Sequence, residues 1–423
     1  MGLSMAERKA VTKQMTKRYQ RGSKKQKGIM LDELCALTGW TRRHARRALH
    51  QALHGASGTP RRPRRRIYGE DVLEPLRQVW ATLDGPSGKR LAPFMAEIVQ
   101  ALERCGELEL PPGVRHKLLS ISPATIDRAL APERRHLQVK GRSGTKPGSI
   151  LKRQIPIRTF AEWDDARPGF CEVDLVAHDG GDPRGQFCQT LDLTCVATGW
   201  TETRALRNKA QRWVHDAIED IERTLPFPLV GLDSDNGAEF INAQLLNWCE
   251  EHAITFTRSR PYRKNDNCFV EQKNWPVVRQ QVGYARYDTE EELAVLGELY
   301  SVLRLYVNFF QPQMKLVSKT RQGAKLTKRY DLARTPYQRV MSAREVSSKA
   351  KDVLRRTYFD LNPAELKRQI GRCQDRLLQL TTTKPERKEV GYPPGHPFKA
   401  SYSWKEISRT SLVRQPEEAS RTS

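Results

Sequence analysis

The sequence predicts an α/β chain, with a mixed-sheet core in its middle third between two basic, mainly helical flanks. Three observations carry this reading. Residues 170–206 alternate apolar and polar side chains at a period of two, in three runs separated by short turns. From residue 209 the period lengthens to that of amphipathic helices, interleaved with short apolar strands. Charge divides along the same lines. Residues 1–150 hold 30 basic and 13 acidic side chains, 151–300 hold 17 and 25, and 301–423 hold 26 and 11, giving 423 residues a net charge of +24.

These totals bound the function. A mean hydropathy of −0.67, with no apolar run near the roughly 18–20 residues of a spanning helix, argues against a membrane-embedded protein. Met1–Lys27 is basic and polar, unlike a secretory signal. The 8 cysteines contain no C-x-x-C pair, so reduced thiols are expected over disulfides or a zinc knuckle. A pI near 9.9 makes a polyanion the leading partner.

Along the chain, residues 1–66 read as a basic segment carrying a helix-turn-helix and a cationic arm. The first twenty-seven residues read as frayed. Met30–Leu53 reads as two short helices, with Leu31, Leu34 and Leu37 facing a core. Thr38-Gly39-Trp40 forms the break, and Thr41 caps a second helix with Ala45, Ala48 and Leu49 inward. Its outer face shows Arg42, Arg43, Arg46 and Arg47, a load suited to a major groove, though a solvated helical hairpin gives the same pattern. Arg61, Arg62, Arg64, Arg65 and Arg66 surround Pro60 and Pro63, so an extended phosphate-binding arm or a solvated linker is expected.

Residues 67–140 read as helical. A helix spans Pro93–Cys105, and a second helix-turn-helix is formed by Val114–Ser120 and Pro123–Leu130, with Ser122 as cap. Residues 141–160 read as a basic linker, overlapping the Gly/Ser/Pro-rich stretch Lys140–Arg153. Residues 161–310 form the core. Its strands are expected at Phe170–Ala177, Gln186–Leu193, Gly199–Leu206, Pro228–Leu232 and Thr255–Thr257, and its helices at Lys209–Thr224, at Asn242–His252 and after the last strand. The order β-β-β-α-β-α-β-α is that of a ribonuclease-H-like sheet. No G-x-G-x-x-G or P-loop sequence is present to hold a nucleotide.

Three acids stand out. Asp174 interrupts the first strand, where Asp is disfavoured. Asp235 closes the fourth, in Asp235-Asn236-Gly237, with Asp233 as rival two residues earlier. Glu271 opens the helix after the last strand, with Asp266 as rival. On a ribonuclease-H-like sheet the middle of strand one and the end of strand four are neighbours, and that helix folds back across both. Three carboxylates gathered there repel unless cations neutralise them, and oxygen ligands favour Mg²⁺, with Mn²⁺ as the alternative. Two such ions would suit attack at a phosphodiester. Glu172, Asp179, Asp182 and Asp192 are assigned to loops or structure, and His178 to a structural or solvated position near the site.

Asp174, then Asp235-Asn236-Gly237-Ala238-Glu239-Phe240, then Glu271 after thirty-five intervening residues resembles the D,D-35-E signature of retroviral integrases and bacterial insertion-sequence transposases. Arg258-Ser259-Arg260-Pro261-Tyr262, Asn265-Asp266-Asn267, Val270-Glu271-Gln272-Lys273-Asn274-Trp275, Asn308-Phe309-Phe310-Gln311-Pro312 and Thr335-Pro336-Tyr337 are similar to the transposase branch. The resemblance covers roughly residues 165–340 closely and the helix-turn-helix front end loosely. It implies a DDE-type transposase in which Asp174, Asp235 and Glu271 are catalytic and hold two Mg²⁺ ions, supported by Asn236, Gly237 and Asn267. It further implies double-stranded element ends and target DNA as partners, action as a homo-oligomer on that DNA, and a bacterial cytoplasmic, nucleoid-associated location. DNA contacts are expected from Arg258, Arg260, Arg263 and Lys264 before the catalytic helix, and from Lys273, Asn274 and Arg279 along it. Two departures stand: the position seven after Glu271, usually basic, is Val278, and Pro276 would kink or restart the helix. The N-terminal His/Cys zinc cluster of viral integrases is also absent.

Residues 311–423 read as a basic region. Lys315–Arg329 carries six Lys or Arg and no acid, and reads as a DNA-binding segment. Asn362-Pro363 starts a helix near 362–380 whose Leu366, Ile370, Cys373, Leu377 and Leu380 form a seam, able to pair two subunits or to pack on the chain's own core. The tail after Thr381 reads as poorly ordered. Two rival functions remain: a DNA-binding regulator with a transposase-derived core, and a purely hydrolytic nuclease.

Overall fold

A computed structural model describes residues 3–54, 67–136, 167–235, 237–259 and 268–384. The chain divides into two units, Met1–Ile67 and Tyr68–Ser423. The expected linker at 141–160 and the tail from 385 lie outside the described residues.

The described residues of the first unit hold three helices where the sequence suggests two. Helix α1 (Met5–Arg21) occupies the stretch expected to fray, and α2 (Lys24–Thr38) starts six residues before Met30. Ser4 with Glu7, and Ser23 with Gln26, form reciprocal capping boxes that satisfy the first free N–H groups of each helix. The few apolar residues of α1 recur every four positions, and Val11, Met15 and Tyr19 cover a core of Leu31, Leu34, Ala45 and Leu49. Gly39, at φ +69°, ends α2 in the left-handed region. The Thr41 hydroxyl accepts from His44 N at the start of α3 (Arg42–His54). Leu37 is 55% exposed and takes no part in this core.

The second unit opens with α4 (Glu70–Thr82), α5 (Gly88–Arg104), α6 (Pro112–Leu119), α7 (Pro123–Ala129) and α8 (Ala131–His136). Helix α5 begins five residues ahead of Pro93, which its first turns accommodate. Ser122 caps α7 as expected, yet Leu118, Ile121, Ile126 and Leu130 are buried in the same core as the sheet. The α6–α7 pair is therefore a packed part of the second unit.

Five strands follow, β1 (Phe170–Ala177), β2 (Gln189–Cys195), β3 (Thr201–Leu206), β4 (Gly231–Ser234) and β5 (Thr255–Arg258), with α9 (Gln211–Thr224) between β3 and β4 and α10 (Ala243–Glu251) between β4 and β5. The sheet order is β3-β2-β1-β4-β5. Strands β1, β2 and β3 pair antiparallel, whereas β4 and β5 run parallel to β1. Strand β4 starts at Gly231, three residues after the expected Pro228, which has no N–H to give a ladder. One face of the sheet is apolar, through Cys171, Val173, Leu191, Leu193 and Leu232, all buried. The other face carries Glu172, Asp174, Asp192 and Asp233, which the pairing register sets side by side.

Helix α11 (Cys268–Lys273) crosses this polar face over β1 and β2 and runs on through a π-helical segment (Asn274–Arg279) into α12 (Gln280–Val282). The π segment contains Pro276 and accommodates the N–H that proline lacks, so the helix is rewound where a kink or restart was expected. Helix α13 (Glu290–Phe310) is 21 residues long and apolar enough to cross a membrane by length and composition, the one such helix among the described residues. It is the central helix of this unit instead, packed on β3 and on α16 (Pro363–Thr382). Its Asn308 side chain donates to Thr201 O and accepts from Thr201 N, both at 2.8 Å, and so caps the edge strand β3. Before α16 come β6 (Leu316–Gln322), β7 (Lys325–Tyr330), α14 (Pro336–Ser342) and α15 (Ser348–Asp360). The basic stretch 315–329 is thus a two-stranded hairpin within a region expected to be mainly helical. The seam Leu366, Ile370, Cys373 and Leu377 is buried in the chain's own core, with Asn362 accepting from Ala364 N and Glu365 N as cap.

Candidate active site

Parallel pairing of β1 with β4 brings the first two acids together. Val173 stands opposite Ser234, and one further step along the register sets Asp174 beside Asp235, on strands roughly 4.8 Å apart. Burial pushes the Asp174 carboxyl up to about 7, helped by the negative charges of Asp235 and Glu271. Two neutral donors oppose the rise, Asn274 Nδ2 at 2.7 Å and Leu175 N at 2.8 Å. Burial also raises Asp235, with added repulsion from Glu239. The Gly237 N–H, 2.8 Å from Asp235 Oδ1, pulls it back. A side chain at Gly237 would approach the Glu239 carboxyl within 2.7 Å and Asp235 Oδ1 within 2.9 Å, so this turn admits no Cβ without a shift. Asp233, the rival of Asp235, is fully buried opposite Glu172 and accepts the Thr257 hydroxyl at 2.6 Å.

Glu271 reaches the same place from above. It lies in the first turn of α11 and is exposed, close enough to add its charge to Asp174. Three side chains of the sheet hold that helix. Glu172 Oε2 accepts from Phe269 N at 2.7 Å and from Val270 N at 3.0 Å, placing a carboxylate on the free N–H groups of the helix start. Asn274 ties the far end to Asp174. Between them, Lys273 interacts with Asp192, which is fully buried on β2 directly opposite Asp174. Burial pushes Asp192 up and Lys273 down, and their attraction opposes both shifts. Glu172 and Asp192 were assigned to structure on sequence grounds, and their hold on α11 was missed. Alternation along β1 does set Glu172 on the face of Asp174, but its partners lie almost a hundred residues away.

Several candidate DNA contacts point elsewhere. Arg258, at the end of β5, is buried at 7% exposure. Arg279 donates to Ala177 O at 2.8 Å and stacks on Tyr284, so its guanidinium is turned toward the sheet. Lys273 faces Asp192, and the amide of Asn274 is held by Asp174. Arg258 is thus covered, Arg279 and Asn274 are hydrogen-bonded within the protein, and Lys273 lies within electrostatic reach of Asp192. In the first unit Arg42, Arg43, Arg46 and Arg47 are all exposed, with Arg42 paired to Asp32 at 3.3 Å. Arg61, Arg62, Arg64, Arg65, Arg66, Arg260, Arg263, Lys264, Asn236, Asn267 and the rival Asp266 lie outside the described residues. His178 is fully buried beside Thr190, with Nε2 and the Thr190 hydroxyl 2.6 Å apart, and burial pushes it down to about 3, so it stays neutral.

The donor set suits a hard divalent cation: carboxylate oxygens that repel one another, one of them pushed to about 7. Among the described residues, however, no three His, Cys, Asp or Glu side chains are close enough to ligate one ion together. Asp174 and Asp235 meet across the sheet, and Glu271 stands within electrostatic reach without closing on them.

No family model matches the chain. The uncharacterized protein y4rM of Sinorhizobium fredii (strain NBRC 101917 / NGR234) is 42% identical over 333 residues, covering 78% of this chain and 93% of that protein. Among solved structures, the catalytic core domain of BIV integrase is 17% identical, with a TM-score of 0.28 over 40% of this chain and 91% of that one. The simian T-cell lymphotropic virus intasome in complex with PP2A regulatory subunit B56 gamma gives 12% identity and a TM-score of 0.30, over 52% of this chain and 68% of that one. Likenesses this distant add nothing to the strand order and register described above.

Proposed function

The chain belongs to the family of the Sinorhizobium fredii protein y4rM, and we propose that it is a DDE-type DNA transposase or integrase that cuts and joins DNA at the ends of a mobile element. The observation that carries this reading is the convergence on Asp174 of the charges of Asp235 and Glu271, three acids from two strands and a helix. Asp174, Asp235 and Glu271 would hold divalent metal, Mg²⁺ in the cell. Such metal, when bound, neutralises the acids and a phosphodiester together and favours attack by an oxygen nucleophile.

The chain's own residues do the positioning. Asn274 and the Leu175 N–H orient Asp174, Gly237 N–H orients Asp235, and Glu172 fixes the helix that presents Glu271. The reaction has two displacements at phosphorus. Water first forms a P–O bond as the strand breaks, and the departing 3′ oxygen leaves as a hydroxyl. That hydroxyl then forms a bond to a target phosphate while the target's own 3′ oxygen leaves. The arginine face of α3 suits recognition of the element ends, in an assembly of several copies on double-stranded DNA in the bacterial cytoplasm.

The test is strand transfer by the purified full chain with Mg²⁺, on labelled duplex taken from the DNA flanking its reading frame. Asp235→Asn should abolish joined product and leave duplex binding intact. Undiminished joining by this variant would remove Asp235 from the mechanism. A second reading, a DNA-binding regulator without catalysis, is favoured by the exposure of Glu271 outside any three-ligand group. It predicts duplex binding with no cleavage at any metal concentration. Cleavage without joining would instead identify a hydrolytic nuclease.

A further inference from the structure

The hairpin β6–β7 has no core of its own. All described side chains of both strands are exposed, Leu316, Val317, Leu326 and Tyr330 among them. A two-stranded ribbon with no described residue packed on either face is marginal in water, so something beyond these residues must supply the missing contact. The register says what kind of surface it offers. Lys319 stands directly opposite Lys328, and Arg321 opposite Leu326, so these four share one face. Two lysines placed face to face repel. Lys319, Arg321 and Lys328 have no ion-pair or hydrogen-bond partner among the described residues, and no acid lies between Lys315 and Tyr330.

The base of the ribbon is clamped next to the catalytic helix. Lys315 Nζ donates to Val196 O at 2.7 Å and Ala197 O at 2.9 Å, and stands 5.8 Å from the ring centroid of Phe269. Lys315 N donates to Asp331 Oδ1 at 2.6 Å, and Asp331 pairs with Arg339 at 2.8 Å. Phe269 is two residues from Glu271, and its own N–H is the one bound by Glu172. The arms of the ribbon therefore extend from the root of the helix that carries Glu271.

We propose that the β6–β7 ribbon is an arm that docks double-stranded DNA, its Lys319–Arg321–Lys328 face engaging phosphates so that the duplex runs toward the acid cluster. This rests on the reading of the chain as a DNA-processing enzyme and names where that substrate is held. Seven residues of strand span about 23 Å, and a two-stranded ribbon matches the roughly 12 Å width of a B-DNA major groove. A duplex is the occupant that fits, because cations spaced regularly along one face of the ribbon match its dense, regular phosphate charge.

The experiment follows binding of the full chain to a fluorescent duplex of arbitrary sequence, several helical turns long, by anisotropy across a salt series. The wild type is compared with Lys319→Gln/Arg321→Gln/Lys328→Gln, whose exposed substitutions leave the fold unchanged by circular dichroism. Three lost phosphate contacts should flatten the log–log salt slope by about 2.7, so the wild type should lose roughly forty-fold more affinity than the variant between about 50 and 200 mM salt. Wild-type binding with an unaltered slope in the variant would overturn the ribbon's role and leave the DNA reading standing. No duplex binding by the wild type at any salt would overturn both. A change in the variant's oligomeric mass without DNA, with duplex binding unaltered, would make the ribbon a contact between copies and overturn the proposal. A slope change confined to single-stranded DNA would likewise overturn its duplex specificity.

Discussion

Removing the charge of Asp174 should stabilise the metal-free protein, and more so at high pH. The native carboxyl is pushed from the ordinary 3.8 up to about 7, chiefly by burial and then by the charges of Asp235 and Glu271. A group whose folded value lies above its unfolded value contributes stability that is fully present below the unfolded value and is lost as pH rises through the folded one. At pH 5 the unfolded carboxyl is mostly ionised and the native one is not, a difference of about 1.2 pH units, or roughly 1.6 kcal/mol. Above pH 7 the whole shift is felt, with a ceiling of about 4 kcal/mol. Asp174→Asn keeps an oxygen for Asn274 and deletes the charge, so its advantage over wild type should widen by about 2.5 kcal/mol between pH 5 and pH 8. Urea unfolding in EDTA at the two pH values measures this directly. Millimolar Mg²⁺ should recover much of the difference in the wild type and little in the variant. If the variant's advantage is the same at both pH values, the carboxylates do not strain the native site and the case for their convergence fails.

Three further substitutions test the frame around the site. Glu172→Ala leaves Phe269 N and Val270 N without their acceptor and should cost about 1–3 kcal/mol together with most strand-transfer activity, whereas Glu172→Gln keeps an acceptor oxygen and should retain much of both. Equal behaviour of the two variants would show that the contact does not position α11. Asn308→Ala uncovers both polar atoms of Thr201 on the edge strand and should lower urea stability by about 2–4 kcal/mol; a smaller loss would mean water replaces the amide freely. Ile370→Ala should cost about 2–5 kcal/mol as a core cavity and leave the oligomeric mass unchanged in sedimentation. A drop in mass at equal stability would return the α16 seam to a subunit interface.

The sheet was legible because its signals are local. Strand alternation, the interleaved helices and the thirty-five-residue interval are all read without knowing any long-range contact. The side chains that organise the site were not. Glu172 and Asp192 look like ordinary strand acids until cross-strand register and a helix nearly a hundred residues away supply their partners. The partners of Lys273 and Arg279 were not legible either, because a sequence records charge but not the azimuth of a side chain on its helix, and the π segment shifts that azimuth again. Helix α1 was missed because only Val11, Met15 and Tyr19 face the core, a weak stripe, enough to cover a small core but not to announce itself. The ribbon was read as a basic segment without its strands, since Lys and Thr alternate there with no buried face to mark a sheet.

The acid-rich middle third now has a structural distribution that distinguishes its members. Glu172 spends its charge on two backbone N–H groups, Asp233 accepts a hydroxyl from Thr257, and Asp192 faces Lys273. Each of these is a means of keeping a carboxylate inside a sheet at bearable cost. Asp174 and Asp235 are treated differently. Their donors are a neutral amide and backbone N–H groups, and no cationic side chain stands among the main influences on either. A sheet that supplies a lysine to Asp192, one strand away, could have supplied one to Asp174 had stability alone shaped this face. Repulsion is felt at Asp192, which burial and the charge of Asp174 push to about 8 despite Lys273, and at Asp174, where β1 and β4 meet and Asp235 and Glu271 add their charges. That is where an incoming cation, with a phosphodiester beside it, would gain most. A structural ion-pair network would set a cation beside each acid; none stands among the main influences on Asp174 or Asp235.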